Sequence, residues 1–302
     1  MANRTYIITK DVNDTLLNKL GVNEVMTVPK LRDQIDRLQD SLIKEFKGVL
    51  SPDTNIKVFD TATISSSIQK KLVELVRNDI YPISISLDRV YRRYASLHLE
   101  VTRAINPING DKLPLTNRHN SAPLQDQVKD LAVMINFLKH KYPSKKIEVA
   151  MLDVGSFEGN TVTMIEELLR SADIFVNHIV LGLSTPQGYG NLLKIYGDRV
   201  SVRIPTEFYE WMELRDLFLI DGKQVPDSYR VNGARVFVPY TEMLVKDASV
   251  PEQNEREAIE ICLRYNKEIL EILKSNGVNR DRIGEFVLLT EEAKRNIRNR
   301  GN

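Results

Sequence analysis

Apolar and polar positions along the chain alternate between two periods, one suited to buried strands and one to amphipathic helices. Strand-length apolar runs occupy residues 56–59, 83–87, 147–152 and 175–183, and residues 199–204 alternate into a fifth. Helical spacing appears between them. Ile68, Leu72, Leu75 and Val76 follow a cap candidate at Ser65, and Val128, Leu131, Ala132, Ile135 and Leu138 line residues 125–141. Val162, Ile165, Leu168 and Leu169 recur after Thr161, and residues 189–196 suit a short helix. Strand, helix and strand in this order predict a three-layer α/β/α domain with a mainly parallel five-stranded sheet. Residues 55–88 are its expected first right-handed crossover.

The flanks follow other patterns. A short β-like run at residues 5–9 carries no evident chemistry. Leu31, Ile35, Leu38, Leu42, Ile43 and Phe46 predict an amphipathic helix with Pro29 in its first turn. A second long helix is expected from about residue 251 to the C-cap pair Asn276-Gly277. The expected division is therefore an extension over 1–50, an α/β domain over 51–245 with a small cap at 205–245, and a helical segment over 246–302. The basic tail 294–302 is expected to fray.

Composition narrows the partners. In 302 residues, 42 lysines and arginines offset 41 acidic residues, so the net charge of +1 argues against broad capture of nucleic acid or membrane. Cys262, the single cysteine, sits among Ile259, Ile261 and Leu263 and reads as a core residue. No apolar run is long enough to span a membrane, the N-terminus lacks a signal peptide's apolar core, and a cytoplasmic protein is expected. The four histidines lack short metal-ligand spacing, which sets zinc aside.

Candidate chemistry gathers at the expected carboxyl ends of the strands, where α/β sheets hold ligands. Asp60, Asp88 or Arg89, Asp153 and residues 184–188 all fall there. The central stretch is 146–169, KIEVAMLDVGSFEGNTVTMIEELL, read as a strand ending at Asp153, a glycine-punctuated loop and a helix N-terminus suited to an anion. Residues 90–123 carry Tyr91, Arg92, Arg93, Arg103, Lys112, Arg118 and His119 among prolines and a glycine, the composition either of a solvated insertion or of a basic lid over a polyanion. The expected cap holds Phe208, Tyr209 and Trp211, then Glu213-Leu214-Arg215-Asp216.

Two resemblances meet in the central stretch. Asp153-Val154-Gly155-Ser156-Phe157-Glu158-Gly159 resembles motif I of class I S-adenosylmethionine methyltransferases, with Phe157 in place of the middle glycine. That family implies an acidic residue at the end of the next strand, where this chain has Gly182-Leu183-Ser184. The order of elements over residues 55–245 resembles the type I phosphoribosyltransferases instead. That resemblance implies an enzyme that moves ribose 5-phosphate from phosphoribosyl pyrophosphate (PRPP) to a nucleobase or related nitrogen acceptor, with Mg²⁺ and loss of pyrophosphate.

Carried over by position, Gly155, Ser156, Phe157, Glu158, Gly159, Asn160 and Thr161 would hold the 5-phosphate. Asp153 would take the ribose hydroxyls and metal. Asp60, Thr61, Ala62, Thr63 and Arg89 would hold pyrophosphate. Arg92, Arg93 or Arg118 would close over the leaving group, and Tyr209 and Trp211 would either stack the base or pack the core of the small cap. Leu152 replaces the first of that family's usual acidic pair, and Glu158 adds a negative charge to the loop. A non-catalytic binding or regulatory module of the same fold, and a homodimer through the flanking helices, complete the expectations.

Overall fold

A computed structural model describes residues 4–20, 29–106, 111–118, 121–218, 223–224, 236–238, 248–278 and 287–288. The tail 294–302, His119 and the side chain of Arg93 lie outside the described set. The chain divides into two compact units that do not follow the boundaries expected at 50 and 245. One comprises residues 1–60, 104–113 and 209–302, and the other residues 61–103 and 114–208.

The second unit holds the expected α/β architecture. Helix α3 (Thr61–Arg77) leads to β3 (Ile80–Ser86), a 3-10 turn (Arg89–Tyr94) and a short edge strand β4 (Leu97–His98). Strands β5 (Val101–Ile105) and β6 (Lys112–Asn117) form a two-stranded ribbon whose residues 104–113 count with the first unit, and α4 (Leu124–Lys141) follows. Then come β7 (Lys146–Ser156), α5 (Asn160–Arg170), β8 (Val176–Ser184), α6 (Pro186–Tyr196) and β9 (Val200–Val202). The described residues of the segment 90–123, expected as a loop, thus include the 3-10 turn, β4, β5 and β6.

The five-stranded sheet has the order β4-β3-β7-β8-β9 with every neighbouring pair parallel. Its register aligns Ile85 with Met151 and Met151 with Ile179. On one face these residues share a core with Leu131 and Ile135 of α4, Val162, Ile165 and Leu169 of α5, and Leu192 and Tyr196 of α6. Helix α3 covers the opposite face, where a Cβ on Gly182 would lie 2.5 Å from Ile64 Cγ2. A strand sandwiched in this way is largely apolar on both sides, which explains the predominantly apolar runs in the sequence.

The first unit corrects the assignment of residues 56–59. Strand β2 (Thr54–Asp60) does not join β3 in one crossover; it pairs with β1 (Arg4–Lys10) in a separate parallel sheet of order β10-β1-β2. Strand β10 (Glu210–Glu213) comes from the segment expected as a cap. Helix α1 (Val12–Leu20) and the long α2 (Pro29–Val49) follow β1, the four-residue α7 (Leu214–Leu217) follows β10, and α8 (Glu255–Ser275) comes later. A second core joins Tyr6 and Ile8 to Leu31, Ile35, Leu42 and Phe46 of α2 and to Cys262, Tyr265 and Ile269 of α8.

The two flanking helices therefore pack on a shared core. Tyr265 donates to Glu45 at 2.8 Å, and Arg264 pairs with the same carboxylate. Burial pushes the Cys262 thiol up to about 12, in keeping with a core residue. Helix α8 ends as its sequence implies, with Gly277 at φ +74° and the Val278 N–H returning to Leu273 O at 3.0 Å. Three short strands, β11 (Lys223–Gln224), β12 (Val236–Val238) and β13 (Val287–Leu288), form a further small sheet. No helix among the described residues is long and apolar enough to cross a membrane.

Candidate functional site

Connection geometry in the five-stranded sheet singles out one place. Strand β3 leads through its 3-10 turn to β4 on one side, whereas β7 leads through α5 to β8 on the other. The chain therefore diverges at the carboxyl ends of β3 and β7, and such a divergence opens a crevice where open α/β sheets take their ligands. The Leu87 N–H donates to Leu152 O at 3.0 Å, so the two strand ends remain in contact as they enter it.

Strand β7 extends three residues beyond Asp153 and ends at Ser156. The connecting loop is only Phe157-Glu158-Gly159, closed by Gly159 at φ +89°, a left-handed conformation that favours glycine. Its carbonyls are held from the β8–α6 side. Ser156 O accepts from the Thr185 N–H at 3.1 Å and from the Ser184 hydroxyl at 3.1 Å. Phe157 O accepts from Thr185 Oγ1, and Glu158 O accepts from Asn191 Nδ2 at 3.1 Å. Gly159 O accepts the Thr163 N–H at 3.0 Å, the first bond of α5.

A trans peptide points its N–H opposite its C=O. Anchoring the carbonyls of Phe157 and Glu158 toward α6 therefore turns the Glu158 and Gly159 amides the other way. Ser156 Oγ takes the Gly159 N–H at 2.9 Å. The amides of residues 160–162 precede the first intrahelical bond of α5, and the positive end of the helix dipole lies among them. Glu158 is exposed, and its carboxylate accepts from Asn160 Nδ2 at 2.8 Å, which occupies the charge locally at that helix end.

Asp153 lies within β7, half-buried, opposite Leu181, with Oδ1 accepting the Val154 N–H at 2.8 Å. Across the crevice, Asp88 caps the 3-10 turn by accepting the Val90 N–H at 2.8 Å. The neighbouring Arg89 guanidinium pairs closely with Glu100. Glu100 is itself fixed: its N–H donates to Gln127 Oε1 at 2.8 Å and its carbonyl accepts from the Arg118 N–H at 2.9 Å. Arg89 and the Arg118 backbone thus meet at Glu100. Arg92 is exposed on the 3-10 turn.

His98 stands at the edge of this cluster. Its burial, reinforced by the Arg92 and Arg89 charges and opposed by Glu100, holds its imidazole below the usual value near 6.5. A histidine depressed on folding favours the fold in its neutral form. Its contribution is present above pH 6.5 and is lost as pH falls from 6.5 through the folded-state value. Urea unfolding at pH 7.5 and 5.5 should show His98→Gln losing less stability on acidification than the wild type.

Other sequence candidates fall elsewhere. The 60–63 turn does not leave a strand of the five-stranded sheet. Asp60 closes β2 in the first unit, while Thr61, Ala62 and Thr63 form the first turn of α3, where Thr61 is buried and its carbonyl accepts from the Ser65 hydroxyl at 2.6 Å. Rather than in a cap, Trp211 lies in β10 of the first unit, and Tyr209 immediately precedes that strand, its N–H donating to Thr5 O at 3.0 Å. Tyr209 meets Tyr6 edge-on at 5.8 Å and lies under the Arg4 guanidinium at 4.1 Å, and Trp211 donates to Thr9 Oγ1 at 2.7 Å. Residues 184–188, expected to face a ligand, instead brace the loop.

Sequence reading missed Glu100, Gln127 and Asn191, because single polar residues in otherwise ordinary surroundings carry no spacing signal. It also missed a buried ion pair in the first unit. At the carboxyl end of β1, Asp11 Oδ1 accepts the Arg215 N–H at 3.0 Å, and Oδ2 lies 3.1 Å from Arg215 Nε. Arg215 Nη2 also reaches Glu213 at 2.7 Å. Among the described residues, no group of three or more His, Cys, Asp or Glu is placed to hold a metal ion. No protein-family model matches the chain, and no curated protein matches it.

Proposed function

We propose that the second unit binds PRPP at the β3–β7 crevice and acts as a phosphoribosyltransferase-like enzyme on a nitrogen acceptor. The observation that carries this reading is the loop's one-sided anchoring. With its carbonyls tied to β8 and α6 and the Gly159 N–H taken by Ser156 Oγ, the loop offers the Glu158 amide and the helix N-terminus on its other side, a cradle for a phosphate monoester. Asp153, on the strand that feeds the loop, is the carboxylate for the ribose hydroxyls. Arg89, across the crevice, is the cation for the diphosphate, and this turn takes the role expected of residues 60–63.

Magnesium fits the same arrangement in a limited way. This ion is commonly held by one or two carboxylates together with substrate phosphates. Asp153 is the carboxylate this chain contributes, and the metal would neutralise charge on the departing diphosphate. The protein's own part is positioning and electrostatics, as suits a displacement with an oxocarbenium-like transition state. The methyltransferase alternative lacks its ribose carboxylate, since β8 closes on Leu183 and Ser184.

Thermal unfolding with PRPP and Mg²⁺, against S-adenosylmethionine, tests the reading. A ligand at about 100 times its Kd stabilises by about 2.7 kcal/mol. Stabilisation by PRPP is expected, and stabilisation by S-adenosylmethionine alone overturns the proposal. Asp153→Asn should weaken PRPP binding by about 10- to 100-fold, the range for a lost hydrogen bond to a charged group. Unchanged affinity in calorimetry removes the ribose assignment. Pyrophosphate release across a panel of nucleobases then separates an enzyme from a binding module.

A further inference from the structure

Helix α4 covers the five-stranded sheet with Val128, Leu131 and Ile135 and presents a second apolar stripe outward. Val133 is 69 % exposed, Met134 44 % and Phe137 56 %, a large unburied area for one helix. The patch continues past the helix end. Lys141 Nζ lies over the Phe137 ring at 5.8 Å and the Tyr142 ring at 5.3 Å, and Tyr142 meets the 43 %-exposed Tyr81 at 5.7 Å. Scattered exposed apolar residues are ordinary, whereas a contiguous aromatic and aliphatic patch marks an interaction surface.

Charge along the same stripe identifies the occupant. Residues 126, 130, 133, 137 and 141 repeat at intervals of four, three, four and four, so they share one face. Exposed Asp126 and Asp130 lie at its N-terminal end, Val133 and Phe137 at its middle, and exposed Lys141 at its C-terminal end. A stripe that is acidic at one end, apolar in the middle and basic at the other complements itself when reversed. We infer that α4 pairs antiparallel with α4 of a second copy of this chain, as a twofold, isologous contact. An axis near residue 135 sets Met134 against the partner's Phe137 and Asp130 against the partner's Lys141. One helix pair buries little area, so the dimer is weak and concentration-dependent.

Sedimentation velocity of the full chain over a concentration series tests this. The wild type should pass from monomer to dimer as concentration rises. Phe137→Glu, at an exposed position, should keep the wild-type thermal midpoint and remain monomeric throughout. Asp130→Lys should raise the dimer Kd by roughly tenfold, since two symmetry-related pairs turn repulsive. Combining Asp130→Lys with Lys141→Asp should restore the dimer by exchanging the charges. A wild type that stays monomeric, or a dimer indifferent to Phe137→Glu and Asp130→Lys, overturns the inference.

Discussion

Arg215→Met is expected to destabilise the protein by about 3–5 kcal/mol, the usual loss when one member of a buried ion pair is removed. Asp11 is 2 % exposed and Arg215 5 %, so neither charge can turn to water when its partner goes. Methionine keeps most of the apolar stem and isolates the loss of the guanidinium. Burial pushes the Asp11 carboxyl up and Arg215 pulls it back, so the variant should recover stability toward acid pH, where Asp11 can be neutral. Urea unfolding at pH 7 and pH 5 measures both effects. A double variant with Asp11→Asn, which still accepts the Arg215 backbone N–H, should be less destabilised than the sum of the two single changes. Additive losses would show that the pair contributes nothing as a pair.

Gly188→Ala is the second large effect, and it reaches the loop. An added Cβ would lie 2.3 Å from Phe157 O and 3.1 Å from Ser156 O, both backbone atoms that cannot swing aside. Relief requires either α6 to lift or the loop to shift, and overpacking of this kind costs about 1–3 kcal/mol. The shift also pulls Phe157 O from Thr185 Oγ1, so the amides lose the anchoring that orients them. PRPP affinity should fall along with the thermal midpoint. Gly190→Ala on the same helix is the control. Nothing lies within 4 Å of its added Cβ, and helix propensity then favours alanine by up to about 1 kcal/mol. Two glycines two residues apart should therefore respond with opposite signs, by calorimetry. Equal effects would refute the close-approach argument.

These sites differ in how far the sequence disclosed them. Residues 83–87, 147–152 and 175–183 were legible because burial on both faces leaves them mostly apolar, with only Ser84, Ser86, Glu148, Asn177 and His178 breaking the runs. Residues 56–59 were legible as a strand but not as to partner. An apolar tetrapeptide carries no mark of which sheet it joins, and β2 pairs with β1, about 50 residues earlier in register. The end of β7 was misread because Asp153, Gly155 and Ser156 are not apolar, yet their backbones continue the ladder to Ser184. Helix α1 was missed for a related reason. Its buried positions include Asn13, Asp14 and Thr15, which a hydrophobic pattern does not count. Asp11 and Arg215 are 204 residues apart, and nothing local relates them.

The sheet order β10-β1-β2 has a consequence for synthesis on the ribosome. Strand β1 is the middle strand, yet one of its two neighbours, β10, begins 150 residues after Asp60, from 60 to 210. At about 5–20 residues per second, β10 follows by roughly 8–30 s. For that interval one edge of Tyr6, Ile7 and Ile8, all fully buried in the finished fold, has no strand beside it. An apolar strand edge left open on a growing chain is a template for wrong pairing. Strand β1 therefore waits for its second partner while the second unit, nearly contiguous over 61–208, is already synthesised.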